Sequence, residues 1–178
     1  FTQQITNVKD TSNNRGSADI MTILEDSNGT IWVGSRDGLN NISSFSDHTL
    51  KSPIEKKLLS RYIQTLFEDA DKNIWIGTTK GLHLYYPKTG KLVYFTKKEG
   101  NADSLQSDYI NCIIQTSRGK FCLGTYFGGL SLFDSRTGKF KTYTEKDGLC
   151  NNNVLGIIED KEGNLWISTD NGLSILNP

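Results

Sequence analysis

The sequence predicts an all-β protein made of four similar units, and three observations carry the prediction. First, four segments superimpose: IMTILEDSNGTIWVGSRDGL from Ile20, IQTLFEDADKNIWIGTTKGL from Ile63, INCIIQTSRGKFCLGTYFGGL from Ile110 and VLGIIEDKEGNLWISTDNGL from Val154. Second, their anchor column Trp32, Trp75, Cys122 and Trp166 recurs at spacings of 43, 47 and 44 residues, with no helical periodicity between anchors. Third, each unit is cut by glycine-containing turns into pieces of strand length. A period in the mid-forties with short strands is that of propeller blades. The expected fold is a β-propeller of about four blades, each of four antiparallel strands.

The elements follow in order. First strands are expected at 20–24, 63–67, 110–114 and 154–158, each with adjacent apolar pairs such as Ile23-Leu24 or Ile157-Ile158. A sheet wetted on one side would alternate, so these pairs imply burial between neighbouring blades. The small column Thr22, Thr65, Cys112, Gly156 fits strands converging near a central axis. A turn follows, Asp26-Ser27-Asn28-Gly29 in the first unit and Asp160-Lys161-Glu162-Gly163 in the fourth. Gly29, Gly119 and Gly163 supply the positive φ that such hairpins need. Second strands are expected at 31–35, 74–78, 121–125 and 165–169, and third strands at 82–86, 130–133 and 173–176. Turns at Thr89-Gly90-Lys91 and Thr137-Gly138-Lys139 lead into fourth strands at 92–96 and 140–144. The stretch 43–61 shows no clear fourth strand for the first unit. The units are anchored near 20–61, 62–109, 110–153 and 154–178 of a single segment, 1–178. The piece Phe1–Val8 suits the outer strand of a neighbouring or closing blade.

Composition narrows the function. Lys+Arg number 20 and Asp+Glu 20, and this balance argues against a general nucleic-acid binder, which needs excess positive charge. The 8 Phe, 7 Tyr and 3 Trp are too many for a solvated polar tract. No apolar run approaches the roughly 20 residues of a membrane-spanning helix, so any membrane attachment falls to segments outside the chain. Cys112 and Cys122 sit in apolar strand patterns as small buried hydrophobes, and Cys150 leaves the count odd. His48 and His83 stand in no ligand spacing, so neither a zinc site nor any other metal or cofactor is expected.

The string E-D-x-x-G-x-[IL]-W-[IV]-G-T-x-x-G-L, at Glu25–Leu39, Glu68–Leu82 and Glu159–Leu173 with a divergent copy at Gln115–Leu130, resembles the regulator propeller repeat of hybrid two-component sensors. The copies depart from it at Cys122 for Trp, Gln115-Thr116 for Glu-Asp, Lys72 for the turn Gly and Ser168 for Gly. The resemblance implies a seven-bladed ring of which four units are part. It also implies a periplasmic location, the extracytoplasmic part of an inner-membrane histidine kinase, and dimeric signalling through that parent.

Motifs for chemistry reduce to scaffold. Asp26, Asp69 and Asp160 recur evenly, as turn residues that satisfy backbone N–H groups do. The Glu-Asp pairs recur too, so no pair stands out as the acid and base of a glycosidase, and no catalytic residue is expected. The Gly-Lys pairs at Gly90, Gly119 and Gly138 complete no phosphate-binding string. Function belongs where the units differ. The turns between second and third strands and the loops leading to the next first strand share one face of a ring, and they vary. Tyr126 and Phe127 occupy the longest of these turns, and Arg36, Asp37, Asp103, Tyr109, Asn151 and Asn152 are expected to share the rim. Aromatic rings beside amides and carboxylates suit an oligosaccharide. The expected function is a ligand-sensing module; a protein-interaction propeller without a small ligand is the alternative, and a propeller glycosidase or lyase ranks last. Unpaired edge surfaces should also favour self-association of the segment.

Overall fold

The computed structural model describes residues 19–42, 54 and 57–177, and these form four antiparallel sheets in chain order. Blade 1 holds β1 (Ile20–Glu25), β2 (Ile31–Ser35) and β3 (Leu39–Ile42). Blade 2 holds β4 (Ile63–Glu68), β5 (Ile74–Thr78), β6 (Gly81–Tyr86) and β7 (Lys91–Phe95). Blade 3 holds β8 (Ile110–Gln115), β9 (Phe121–Thr125), β10 (Gly129–Asp134) and β11 (Lys139–Tyr143). Blade 4 holds β12 (Val154–Glu159), β13 (Leu165–Thr169) and β14 (Gly172–Leu176). Each sheet is an up-and-down meander, and the first strands β1, β4, β8 and β12 lie side by side. This is the propeller segment that the repeat predicts. The strand β3 was not assigned from sequence, and Phe1–Val8 lies outside the described residues, as does most of 43–61.

The turn between first and second strands is built on one carboxylate. Asp69 Oδ1 accepts the backbone N–H groups of Asp71 and Asn73, and Oδ2 accepts the indole N–H of Trp75 at 2.8 Å. Asp26 does the same with Asn28, Thr30 and Trp32, and Asp160 with Glu162, Asn164 and Trp166. Blade 3 changes both ends together: Cys122 has no N–H to give, and Thr116 Oγ1 accepts only the N–H of Lys120 at 3.0 Å. Burial works to raise the Asp26 carboxyl, but the donors from Trp32, Thr30 and Asn28 outweigh it and leave the group below its ordinary range. At Asp160 the donors from Trp166 and Asn164 hold the pKa at about 2. These aspartates are structural, as their even recurrence implies.

The cores lie between blades rather than within them. Trp32, Leu39 and Leu24 of blade 1 pack on Ile63, Leu66, Ile74 and Ile76 of blade 2. Trp75, Leu82 and Leu84 of blade 2 meet Ile110, Ile113, Phe121, Leu123, Phe133 and Phe140 of blade 3, with the Trp75 and Phe121 rings 4.4 Å apart. Cys122 and Leu130 of blade 3 meet Val154, Ile157, Leu165 and Ile167 of blade 4. Strands β5 and β9 are accordingly buried along their whole length, as two-sided coverage demands. Burial pushes the Cys112 thiol up to about 11 and that of Cys122 up to about 12, which keeps both protonated and inert.

Among the described residues, the outer faces of the first and last blades expose apolar side chains. Ile20 and Ile23 of blade 1 and Ile158, Leu173 and Ile175 of blade 4 are all more than half exposed. The inner-blade counterparts of Ile20 and Ile23, namely Ile63, Ile110, Leu66 and Ile113, are buried, as are Leu82 and Leu130 at the position of Leu173.

Candidate ligand-binding face

Backbone hydrogen bonds bring the variable loops together. The N–H of Gly81 donates to Asp108 O at 2.7 Å, and that of Gly129 to Asn152 O at 2.9 Å. Each bond ties the second-to-third turn of one blade to the loop entering the next. Within blades, Arg36, Thr79, Tyr126 and Asp170 donate their N–H groups to Asp19, Tyr62, Tyr109 and Asn153 in turn. One face of the segment therefore carries all of these residues.

At its centre the ring of Tyr126 lies 5.2 Å from that of Tyr109 and 4.4 Å from that of Phe127. Phe127 is 62% exposed and holds φ at 54°, a left-handed conformation that costs a residue with a Cβ about 1–2 kcal/mol. The turn has no slack to relieve it. Ser107 Oγ donates to Tyr126 O at 2.8 Å, and a Cβ on Gly128 would meet Ser107 Cβ at 2.5 Å. A phenyl group is thus held out to solvent by a fixed backbone.

Polar side chains flank this aromatic step. Gln64 Nε2 donates to the Tyr109 hydroxyl at 2.7 Å. One junction further on, Asn111 Nδ2 donates to Asn153 Oδ1 at 3.0 Å, and Asn153 Nδ2 donates to Asp170 Oδ2 at 2.6 Å. Gln64 and Asn111 are the extra residues of β-bulges, because the first strand slips register against the second in every blade, between Ile20 and Thr22, Ile63 and Thr65, Ile110 and Cys112, and Val154 and Gly156. A bulge re-aims one side chain toward the neighbouring element. Gln64, Asn111 and Tyr62 were not expected at the site, and Asn153 and Asp170 belong to the variable loops of this face without being among the expected rim residues. The available signal was the mixed column Met21, Gln64, Asn111, Leu155 inside otherwise apolar strands.

The expected rim residues divide. Tyr109, Tyr126 and Phe127 form one contiguous step. Arg36 belongs to the same face but is engaged, with an ion pair to Asp19 at 3.0 Å and its guanidinium 5.3 Å from the centre of the Tyr62 ring. Asp37 is exposed beside it, its N–H bonded to Ser35 Oγ. Asn151 and Asn152 share the face, yet they serve their own loop: Asn152 Oδ1 accepts the N–H of Glu145, and Asn151 Nδ2 donates to Glu145 Oε1. Asp103 is the correction. Its loop folds back along the outer edge of blade 3, where it accepts the Phe140 N–H at its carbonyl and pairs with Lys139 at 2.7 Å, away from the aromatic step.

A groove of about 1070 Å³ lies on that other side, lined by Arg118, Lys120, Leu132, Lys139, Lys141 and Tyr143 among others. It matches the bed that Phe133 and Phe140 of blade 3 fill on blade 2. Blade 4 has no fourth strand among the described residues to lie there.

Comparison with known proteins agrees with this architecture. The family model of the two component regulator propeller matches residues 14–37, 57–80 and 148–171, which are three of the four repeats and omit the divergent third. Among solved structures, the extracellular domain of a hybrid two component system from B. thetaiotaomicron is 31% identical, with a TM-score of 0.75 over 89% of this chain and 21% of its own. A second such domain from the same organism is 21% identical with a TM-score of 0.79, covering 92% of this chain and 24% of its own. Streptogramin B lyase, at 16% identity and a TM-score of 0.66, shares the fold alone. The chain spans less than a quarter of the two extracellular domains. No curated protein matches it. Three of the four repeats match the model of the two component regulator propeller, and the chain is similar to that family over those repeats.

Proposed function

We propose that the chain is a ligand-sensing part of the extracytoplasmic region of a two-component signalling protein, and that its loop face recognises an oligosaccharide. The observation that carries the reading is the strained, exposed aromatic step Tyr109–Tyr126–Phe127 with amide groups on either side. Sugar rings stack their C–H faces on such rings and use paired amides and carboxylates for their hydroxyls. The likeness to extracellular domains of hybrid two component systems supports the sensor role and the periplasmic location. No helix among the described residues is long and apolar enough to cross a membrane. Anchor, kinase and the dimer contact belong to the parent polypeptide. The role of the segment is binding, with the rim acting by contact alone.

Calorimetric titration with a panel of oligosaccharides tests this, run on the wild type and on the double variant Tyr126→Ala/Phe127→Ala. Binding by the wild type that the double variant loses supports the site. Binding that survives at full strength removes it. No binding to any glycan favours the reading of this face as a protein-interaction surface.

A further inference from the structure

Neighbouring blades are keyed to one another at two points. The first key is a glycine in the second strand. A Cβ on Gly34 would stand 2.6 Å from Cγ2 of Ile63, one on Gly77 2.9 Å from Cγ2 of Ile110, and one on Gly124 2.6 Å from Cγ1 of Val154. At all three junctions a β-branched residue opening the next blade fills the space of a missing side chain. The second key is an acceptor closing the next blade's first strand. Glu68 accepts from the N–H and hydroxyl of Ser27, Glu159 from those of Ser117, and Gln115 from the N–H of Ala70.

Blade 4 carries both keys in altered form. Ser168 stands where the others have glycine, paired with Gly156 as Gly34 is with Thr22. A Cβ on Gly156 would meet Ser168 Oγ at 3.1 Å, so the serine has taken the space that Thr22, Thr65 and Cys112 fill elsewhere. The glycine at 156 makes room within the blade and none toward the next one. The turn residue is Lys161, where Ser27, Ala70 and Ser117 stand in the others. The surface is otherwise that of an interblade contact, with Ile158, Leu173 and Ile175 at 66%, 54% and 57% exposure.

We propose that this face seats a further blade of the same repeat type whose first strand opens with a small, unbranched residue and closes with a carboxylate over Lys161. Continuity with the three internal junctions identifies the occupant as a blade, and Ser168 selects which blade. A second copy of this chain is refused. Its blade 1 offers Glu25 for the second key, but Ile20 holds the register of Ile63, Ile110 and Val154 and would bring a branched Cβ onto Ser168. The segment is adhesive toward the right neighbour and barred from stacking head to tail on itself, against the self-association that the bare edges alone suggest.

Sedimentation velocity over a concentration series tests the key. The wild type should sediment as a monomer. Ser168→Gly reopens the hole and Ile20→Ala removes the branch from the other side, so each alone should tighten self-association by at least about tenfold, equivalent to ~1.4 kcal/mol. Adding Glu25→Lys to Ile20→Ala should reverse the gain. Ile20 is exposed, so its variant keeps the test open even where Ser168→Gly disturbs the blade. Wild-type association as tight as that of the variants overturns the proposal, and so does a monomer in every case.

Discussion

Trp75 and Asp69 are joined by a 2.8 Å hydrogen bond that links the largest buried ring of the segment to the carboxylate organising a turn. The bond couples two jobs. The ring fills the junction between blades 2 and 3, and the carboxylate holds two backbone N–H groups that would otherwise go unpaired. Trp75→Ala should cost about 3–5 kcal/mol through an interblade cavity. Asp69→Ala should cost about 1–3 kcal/mol by leaving donors unpaired, one of them buried. Because the two residues share one bond, the double variant should fall short of the sum by about 1 kcal/mol or more. Urea titration of the four species measures this, and strict additivity would mean that the indole N–H contributes nothing.

Among the described residues two with a side chain hold a left-handed backbone, and they should behave differently. Lys72, with φ at 66°, sits at the turn position that glycine fills in the other three blades. Lys72→Gly should raise stability by about 1 kcal/mol with oligosaccharide binding untouched. Phe127→Gly should raise stability by a similar amount while weakening binding, because the strain there serves an exposed ring. Calorimetric melting and titration on both variants separate the cases. A Phe127→Gly protein that binds at full strength would show that the ring is not a contact.

His83 makes stability depend on pH. Its ring is fully buried between β6 and the segment at Leu59, whose N–H donates to Nε2 at 3.1 Å, so the neutral form is required. Burial holds its pKa down at about 4 against an ordinary 6.5. Below pH 6.5 the unfolded chain takes up a proton that the folded one refuses, so stability falls as pH drops from 6.5 to 4 and this contribution levels off below 4. The loss should reach roughly 3 kcal/mol at the bottom of that window. His83→Gln, which keeps an acceptor for Leu59 and does not titrate, should flatten the denaturation midpoint between pH 6.5 and 4. An unchanged slope would place the pH dependence elsewhere.

The clasp between blades 1 and 2 offers a smaller effect. Glu68 takes both the N–H and the hydroxyl of Ser27 at 2.8 and 2.9 Å, in an exposed setting. Glu68→Ala should cost about 1 kcal/mol, and Glu68→Gln less, since an amide oxygen still accepts. Gln115 already serves in that way with Ala70. Thermal melts at low and high salt should show the gap between wild type and Glu68→Gln shrinking as salt rises, while the gap between the two uncharged variants stays put.

Particular residues show what could be read from the sequence and what could not. The second strands fall at 31–35, 74–78, 121–125 and 165–169 as expected, because an Asp-centred or Thr-centred turn fixes one end and a glycine turn the other. The third strands begin a residue early, at Gly81, Gly129 and Gly172, since the glycine that makes the turn also pairs. Strand β3 was hidden by Asn40 and Asn41, poor strand formers that pair with β2 because Gly38 turns the chain back onto it. At the site, Tyr109, Tyr126 and Phe127 were legible as breaks in the repeat. Asp103 was not, because its position depends on a loop that doubles back through an isolated bridge between Lys97 and Leu105. Gln64 and Asn111 were masked by strand alternation, which assumes a register that the bulge violates.

That slipped register divides the labour of the repeat among its columns. Residues of the strand cores answer to two neighbours at once and can hardly change. The bulged position answers to none of the ladder pairs, and this chain holds Met21, Gln64, Asn111 and Leu155 there, four side chains of different size and polarity. An array of this kind can change the chemistry of its loop face by substitutions in a single column, one blade at a time, while the apolar packing between blades stays as it was.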